Sequence, residues 1–281
     1  MLDTNDAFDA NGAPGTDSAP SADLPALACE SVTMRFGGLT AVDGFNLRVP
    51  KGALYGLIGP NGAGKTTVFN IVSGVLRPSA GAVKLFGVDV TGLSPDRIAR
   101  SGIARTFQNI RLFRNLTVLD NVLVGLHLRR EANLAEAMLA LPRHRAEETQ
   151  MAATAAQLLE EIGLAGVSHY RASALPYGRQ RRLEIARALA TKPAVLLLDE
   201  PAAGMNPAET EDLMRLITDI RKRFSLTILL IEHEMKVVMG ICERMTVLDH
   251  GDTIAEGTPE EIQRNERVIK AYLGGGAVAR A

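Results

Sequence analysis

The sequence predicts an α/β fold with a mostly parallel sheet and crossover helices. Three short runs are almost entirely apolar: "ALYGLIG" (53–59), "PAVLLLDE" (193–200) and "SLTILLIEH" (225–233). Such runs are typical of parallel strands that are covered on both faces. Between the last two lies "NPAETEDLMRLITDIRKRF" (206–224), a segment of helical period with Asn206 placed to cap it and Pro207 at its first position. Strands that alternate with helices in this way favour one parallel sheet.

The chain before the first of these runs divides into a tail and a set of strands. Residues 1–26 contain no Lys or Arg and are rich in Asp, Ala, Gly, Pro and Ser, so we expect a disordered acidic tail. This tail is either a spacer or a functional acidic segment. The stretches "LACESVTMRF" (27–36) and "TAVDGFNLRV" (40–49) predict strands, which we assign to an N-terminal antiparallel set.

Two short helices and a hairpin are expected next. A helix is predicted from Lys65 to about Gly74, and "GAVKLFGVDV" (81–90) predicts a strand with a glycine turn. The stretch "SPDRIARSG" (94–102) predicts a helix with Ser94 as N-cap, Pro95 at the first position and Gly102 beyond the end.

The pattern changes between about residues 110 and 177, where we predict an inserted helical subdomain. "LTVLDNVLVGLHLRR" (116–130) has helical period with Thr117 as its cap, and "HRAEETQMAATAAQLLEEIGL" (144–164) predicts a long amphipathic helix that Gly163 stops. No stretch in this range reads as a strand.

The α/β pattern then resumes and runs to the C-terminal region. "RMTVLDHG" (244–251) predicts a further strand, and "TPEEIQRNERVIKAYL" (258–273) predicts helix. We expect one domain over residues 27–273, with a flexible tail at 274–281.

Composition excludes several classes of function. The 281 residues are 46% hydrophobic and 22% charged, and the net charge of −1 by itself argues neither for nor against nucleic acid. The sequence shows no basic face, so we expect no nucleic-acid partner. The two cysteines, Cys29 and Cys242, form no CxxC, and the five histidines are scattered, so a zinc site is not indicated. No apolar run approaches the ~18–20 residues of a spanning helix, and the N-terminal stretch lacks the features of a signal peptide.

The strongest chemical signal is "GPNGAGKTT", which follows an apolar strand and opens a helix. It fits G-x-x-x-x-G-K-[ST], the phosphate-binding P-loop. Its glycines let backbone N–H groups surround a phosphate, and the helix dipole favours the negative charge. The strand and helix around it argue against the alternative, a glycine-rich turn that matches by chance. The predicted nucleotide-binding residues are Gly59, Pro60, Asn61, Gly62, Ala63, Gly64, Lys65, Thr66 and Thr67.

The second signal is "AVLLLDEP" (194–201), which ends a buried strand with two carboxylates. In open α/β sheets, ligands bind at the carboxyl ends of the strands. Asp199 can therefore hold Mg²⁺ together with the hydroxyl of Thr66, and Glu200 can polarise an attacking water as general base. A cap for the next helix is the alternative, which the P-loop in the same sheet makes the weaker interpretation.

A third stretch, "LPYGRQRRLEIARAL" (175–189), leads from a glycine turn into a basic helix. It is either an ordinary surface helix or a helix N-terminus aimed at a phosphate. A second phosphate site in a chain that already has a P-loop is redundant, unless it serves the nucleotide of another subunit.

These stretches and "IEHEM" (231–235), in this order and spacing, resemble the ATP-binding-cassette (ABC) ATPases over about residues 27–273. The resemblance implies a P-loop NTPase core of the RecA-like type that binds ATP and Mg²⁺. It also implies that the signature stretch of one subunit closes on the ATP held by the P-loop of another. The signature residues here are Leu175, Pro176, Tyr177, Gly178, Arg179 and Gln180.

The resemblance assigns three further residues. Phe36 lies where an aromatic ring stacks on adenine, although a core Phe is the alternative. Gln108 matches the glutamine that senses Mg²⁺ and the attacking water, and a plain surface Gln is its alternative. His233 matches the histidine that contacts the γ-phosphate. The implied catalytic set is Glu200, His233 and Gln108, and the implied Mg²⁺ set is Thr66, Gln108 and Asp199.

The signature departs from the common Leu-Ser-Gly-Gly-Gln. Pro176 removes a serine hydroxyl and a backbone N–H, and Arg179 replaces the glutamine with a strong phosphate ligand. Asn206 stands where Asp is common. These features, with "EPAAGMNP" (200–207) and the ending "AEGTPEEIQRNERVIKAYLG" (255–274), look like the ATP-binding subunit of branched-chain amino acid importers.

We therefore expect a peripheral ATPase subunit at the cytoplasmic face of the inner (plasma) membrane. The implied partners are integral membrane permease subunits, a second ABC ATPase that is a copy or a paralogue, and indirectly a periplasmic or extracellular solute-binding protein. Residues 105–114 are the expected start of the permease contact. The alternatives are another cargo (urea, other amino acids or an exported lipid), a non-transport ABC ATPase, and a binding or scaffold module. Lys65, Asp199 and Glu200 disfavour the last of these.

Overall fold

The computed structural model describes residues 24–129, 142–233 and 235–274. Its strands are β1 (Leu27–Phe36), β2 (Leu39–Val49), β3 (Leu54–Ile58), β4 (Ala80–Leu85), β5 (Val88–Asp89), β6 (Ile103–Arg105), β7 (Val195–Asp199), β8 (Thr227–Ile231), β9 (Arg244–Asp249) and β10 (Asp252–Gly257). Its α-helices are α1 (Lys65–Val72), α2 (Pro95–Arg100), α3 (Val118–Leu126), α4 (Pro142–Glu161), α5 (Tyr177–Ala190), α6 (Pro207–Arg223), α7 (Met235–Ile241), α8 (Pro259–Gln263) and α9 (Glu266–Gly274).

The larger sheet has six strands in the order β10-β9-β3-β8-β7-β6. All neighbours are parallel except β10 and β9. Alternate residues of β3, β7 and β8 enter two different apolar clusters, so both faces of these strands are buried. The carboxyl ends of β3, β7 and β8 meet at one edge, which is where the P-loop and the two carboxylates lie.

The smaller sheet is antiparallel and has the order β2-β1-β4-β5. Its apolar residues, such as Leu27, Phe45 and Val83, pack with α1 and one face of the larger sheet. The predicted antiparallel N-terminal strands and the mostly parallel sheet are both present, so the predicted fold class is confirmed.

Helices α3, α4 and α5 pack together on the other side of the core and contribute Val122, Leu159 and Leu183 to its second cluster. Thr117 caps α3 in a capping box with Asp120, and Gly163, at φ +72°, follows α4. The described part of residues 110–177 contains helices and turns but no strand. Its one β-type pairing is the isolated antiparallel bridge between Thr117 and Arg171. Residues 130–141 of the predicted subdomain lie outside the described residues.

One prediction of secondary structure needs correction, and three elements were not predicted. The stretch 258–273 is two helices, because Asn265 Oδ1 accepts hydrogen bonds from the N–H groups of Arg267 and Val268 and so starts α9 anew. Strand β6 was not predicted because it has only three residues, and β10 because it contains no apolar run. Helix α7 was not predicted either. Residues 1–23 and 275–281, which cover most of the two predicted tails, lie outside the described residues.

Candidate functional site

The P-loop joins β3 to α1 and passes very close to neighbouring backbone. Gly59 has φ +150°, and a Cβ there would lie 2.1 Å from the carbonyl oxygen of Leu248. Gly64 has φ +105°, and its Cβ would lie 2.7 Å from the carbonyl oxygen of Ala41. Only glycine fits both positions, so the loop curls tightly against β2 and β9.

The N-terminus of α1 is open to an anion. Gly64 supplies no side-chain cap, and the first turn of α1 carries no acidic residue. The first N–H groups of this helix therefore have no intrahelical partner and present a positive dipole end. The nine P-loop residues differ in exposure: Asn61, Gly62 and Thr66 are exposed, Pro60, Gly64 and Thr67 are half-buried, and Gly59, Ala63 and Lys65 are buried.

Lys65 points back into the loop that precedes it. Its Nζ donates hydrogen bonds to the carbonyl oxygens of Gly59 (2.7 Å) and Pro60 (2.8 Å). Burial lowers the pKa of Lys65, and the carboxylates of Glu200 and Asp199 oppose that shift. The ammonium is thus held at the loop, in the negative field of the two carboxylates.

Glu200 and Gln108 are in direct contact across the site. Gln108 Nε2 donates to Glu200 Oε2 at 2.7 Å, and His233 Nδ1 lies 3.7 Å from the same oxygen. Glu200 has φ +45°, a conformation that non-glycine residues adopt rarely, and its N–H donates to the carbonyl of Ile231. Such backbone strain at a cleft is common at functional sites. The structure therefore brings the three predicted catalytic residues together.

Asp199 is buried beside them and paired with an arginine. Arg105 Nη2 donates to Asp199 Oδ2 at 2.8 Å, and each of the two side chains is 6% exposed. Arg105 also donates to Asn70 Oδ1 and to Ser73 Oγ. Arg105 begins the range 105–114 that we expect to contact a permease. Its guanidinium is turned inward to Asp199, although the residue also lines the groove between the sheet and the helical subdomain, and the permease contact stays a prediction.

The P-loop, Gln108 and Glu200 line one open cavity of about 600 Å³, together with His250 and residues 39–41. Phe36 pairs with Leu39, a cavity residue, at the end of β1. Phe36 is 45% exposed, so it is not a core residue. Its stacking on adenine stays a prediction.

The signature stretch lies outside this cavity and forms the start of α5. Pro176 precedes the helix, no side chain caps it, and its first turn has no acidic residue. Leu175 is buried, Gly178 and Gln180 are half-buried, and Pro176, Tyr177 and Arg179 are exposed. Gln180 Nε2 donates to the carbonyl of Leu175 and holds the turn. No signature residue lines the cavity at the P-loop of its own chain.

The structure adds two residues that the sequence did not single out. Glu232 is 1% exposed and accepts a hydrogen bond from the N–H of Ala202, and burial raises its pKa. The hydroxyl of Tyr272, on α9, is buried near the Gly59 amide but makes no hydrogen bond among the described residues. Burial raises the pKa of Tyr272 to about 12, although the Gly59 amide lowers it. In the sequence, the only sign that Glu232 lies near the site is its position next to His233.

Two further observations concern membrane-spanning helices and the cysteines. Within the described ranges, no helix is both long and apolar enough to cross a membrane. Cys29 and Cys242 are free thiols, both buried.

The family of this chain follows from comparison with known proteins. The model of the family "ABC transporter" matches residues 42–203, which is more than half of the chain. The chain belongs to this family, whose members bind and hydrolyse ATP. A second model, "Branched-chain amino acid ATP-binding cassette transporter", matches residues 253–278, which include α8 and α9.

The curated relatives of this chain are ATP-binding proteins of particular transport systems. The "High-affinity branched-chain amino acid transport ATP-binding protein BraF" of Pseudomonas aeruginosa is 48% identical over 250 residues, covering 89% of this chain and 98% of BraF. LivG of Escherichia coli, which carries the same description, has the same identity and coverage. The "Lipopolysaccharide export system ATP-binding protein LptB" of Haemophilus influenzae is 36% identical over 248 residues, covering 88% of this chain and 97% of LptB.

Solved structures with a similar fold also come from ABC transporters. The ADP conformation of MJ1267, an ATP-binding cassette of an ABC transporter, matches with a TM-score of 0.77 at 30% identity, covering 88% of this chain and 98% of MJ1267. The structure of cbiO1 from Clostridium perfringens, described as part of the ABC transporter complex cbiONQ, matches with a TM-score of 0.75 at 25% identity, covering 90% of this chain and 95% of cbiO1.

Proposed function

We propose that this chain is the ATP-hydrolysing subunit of a branched-chain amino acid importer. The contact between Gln108 and Glu200 carries the enzymatic part, because it places a carboxylate and its amide partner in the same cavity as the P-loop. The relatives BraF and LivG, at 48% identity over almost their whole length, support the cargo. Lipid export is the alternative that the relative LptB supports, but more weakly, because LptB is only 36% identical to this chain.

The cavity suits a nucleoside triphosphate with a divalent cation. The open N–H groups of α1 and the ammonium of Lys65 supply donors and positive charge for phosphates. Thr66, Gln108 and Asp199 would hold Mg²⁺ through oxygen atoms, the ligands it prefers. When bound, the cation would neutralise charge on the phosphate oxygens. The Arg105 guanidinium fixes the orientation of the Asp199 carboxylate.

Glu200 acts as the general base in this proposal, and its contacts support that role. Its Oε2 accepts from Gln108, which orients the carboxylate, and the imidazole of His233 lies on the same side at 3.7 Å. Gln108 orients a water molecule in this site, and Glu200 takes a proton from that water. The resulting hydroxide is the nucleophile. Phosphoryl transfer depends mainly on such positioning and on electrostatic stabilisation.

The signature stretch serves the ATP of a second cassette in a head-to-tail pair. No side chain caps its helix N-terminus and its first turn carries no acidic residue, although Glu209 of α6 lies beside Gly178; the stretch lies outside the cavity of its own chain. Arg179 is exposed there and can reach a phosphate. The second cassette is a copy of this chain or a paralogue.

A groove of about 380 Å³ between the sheet and the helical subdomain receives the permease. Its lining includes Val75, Phe113 and Val124, which are unusually exposed for apolar side chains. An amphipathic helix is the occupant that buries such a strip. This docking would place the chain at the cytoplasmic face of the inner membrane, with the solute-binding protein contacting only the permease.

The test of the enzymatic part is Glu200→Gln in the full-length chain. The variant should bind ATP with unchanged affinity and lose hydrolysis by about 100-fold or more, because an amide cannot take a proton from water. Arg215→Gln, on the exposed face of α6, is the matched control and should hydrolyse ATP like the wild type. Full hydrolysis by Glu200→Gln would show that Glu200 is not the base.

A further inference from the structure

A completely buried arginine of the signature helix is bonded to the segment that carries Gln108. Arg181 is 0% exposed. Its Nη1 donates to the carbonyl of Phe107 (2.6 Å) and its Nη2 to the carbonyl of Gln108 (2.8 Å). Its Nη2 also lies 3.3 Å from the hydroxyl of Tyr177, a signature residue. One guanidinium thus joins the first turn of α5 to the backbone of Gln108.

Glu184 completes the connection one helical turn further along. Its Oε2 accepts from Arg181 Nη1 at 2.8 Å, and the side chain is 2% exposed. Its Oε1 accepts from the N–H groups of Phe107 (3.4 Å) and Arg111 (3.1 Å). Together the two side chains bind both carbonyl and N–H groups of residues 107–111, so this segment follows the position of α5.

Stability alone explains this arrangement poorly. Taking both charges out of water is costly, and apolar residues of similar size are often as stabilising as a buried ion pair. The Nε of Arg181 is moreover buried with no hydrogen-bond partner among the described residues, and an unpaired buried donor is unfavourable. The pair therefore gives a defined position to residues 107–111 at some expense of stability.

We propose that Arg181 and Glu184 are positioning residues that couple the two ATP sites of a cassette pair. A shift of α5, when the signature binds the ATP of the other subunit, moves the backbone of Gln108 through these bonds. Gln108 in turn orients Glu200 in the chain's own site at 2.7 Å. The chain of contacts runs from Tyr177 through Arg181 and Gln108 to Glu200. This inference rests on the proposed function.

The experiment is a double-mutant cycle on ATP hydrolysis by the full-length chain. One arm replaces the pair by apolar residues, Arg181→Met with Glu184→Leu, which avoids leaving one buried charge unpaired. The other arm is Gln108→Ala. Steady-state kcat and the Kd for MgADP are measured for the wild type, both variants and their combination. Residues that act through one another show non-additive effects.

We expect the apolar pair to lower kcat by about tenfold with the Kd for MgADP unchanged. Adding Gln108→Ala to it should lower kcat by less than about twofold further, since Gln108 is already misplaced. Effects that simply multiply, or a wild-type kcat in the apolar pair, would overturn the inference. Absence of hydrolysis in the wild type would overturn the proposed function instead, which is a different result.

Two further variants separate positioning from folding. Arg182→Gln is the matched control, because Arg182 also lies on α5 but contacts the carbonyl of Ile162 in the helical subdomain; its kcat should equal that of the wild type. Arg181→Lys keeps the charge beside Glu184, but its single ammonium nitrogen replaces the two separate Nη atoms of the planar guanidinium, so it cannot reproduce the contacts to Phe107, Gln108 and Tyr177 together. If the apolar pair does not fold, Arg181→Lys must show the same lowered kcat and the same non-additivity with Gln108→Ala, or the inference fails.

Discussion

Replacing Arg105 by Met should destabilise the protein strongly, because it leaves the carboxylate of Asp199 buried without its partner. The two side chains are each 6% exposed and 2.8 Å apart. At this distance the gross Coulomb attraction is about 6 kcal/mol for an effective dielectric constant of ~20. This attraction offsets a desolvation penalty of several kcal/mol for each ion.

The penalty for Asp199 remains when Arg105 is removed. Loss of one partner of a buried ion pair reduces the free energy of unfolding by about 3–5 kcal/mol. The bonds from Arg105 to Asn70 and Ser73 disappear as well. Methionine retains much of the aliphatic volume, so a cavity contributes little. In a chain of this size, the loss corresponds to a midpoint of thermal unfolding lower by about 10 °C.

Thermal unfolding of the full-length variant, without nucleotide, measures this loss. The matched control is Arg215→Met, whose side chain is 65% exposed and pairs with Asp212 on the surface of α6. Exposed ion pairs contribute less than about 1 kcal/mol, so the control should unfold within about 3 °C of the wild type. Equal midpoints for the two variants would refute the reasoning that the Arg105–Asp199 pair is buried and coupled.

Two more predictions concern the P-loop and the strand beside it. Gly59→Ala should abolish ATP binding, because its Cβ would lie 2.1 Å from the carbonyl oxygen of Leu248 and φ is +150°; wild-type affinity by calorimetry would contradict this close approach. For Glu232, burial raises the pKa above the ordinary value of 4.5. The unfolded state then loses its proton first, so the free energy of unfolding falls as pH rises from about 4.5 through the folded-state pKa. Glu232→Gln should remove this part of the pH dependence in urea titrations, and an unchanged pH profile would show that Glu232 does not contribute it.

The sequence predicted the parts of the fold that local patterns determine. The runs that became β3, β7 and β8 are apolar on both faces, and the caps at Thr117 and Asn206 each form the capping box that their neighbours allow. The strands β6 and β10 were missed because each gains its conformation from a neighbouring strand and has little apolar character of its own.

In the candidate site, too, the residues set by local sequence patterns could be predicted, and those set by long-range contacts could not. The P-loop and the Asp199–Glu200 pair could be predicted, since their spacing to a strand and a helix is local. Gln108, Phe36 and His233 entered only through a family resemblance, and the roles of all these residues stay predictions. The pairing of Arg105 with Asp199 could not be predicted, because nothing in "IAR" distinguishes a buried arginine from a surface one. Its partner Asp199 lies on the neighbouring strand, 94 positions later in the chain.

The central claim is that ATP hydrolysis by this chain drives uptake of branched-chain amino acids. It is tested most directly by the uptake of labelled leucine, isoleucine and valine in a strain that lacks the chain, complemented with the wild type or with Lys65→Ala. Lys65 is held at the P-loop by two carbonyl oxygens, and its ammonium is the charge that phosphates need there. We expect uptake to fall without the chain and to return only with the wild type. Uptake that does not depend on the chain, or that Lys65→Ala restores fully, would contradict the account.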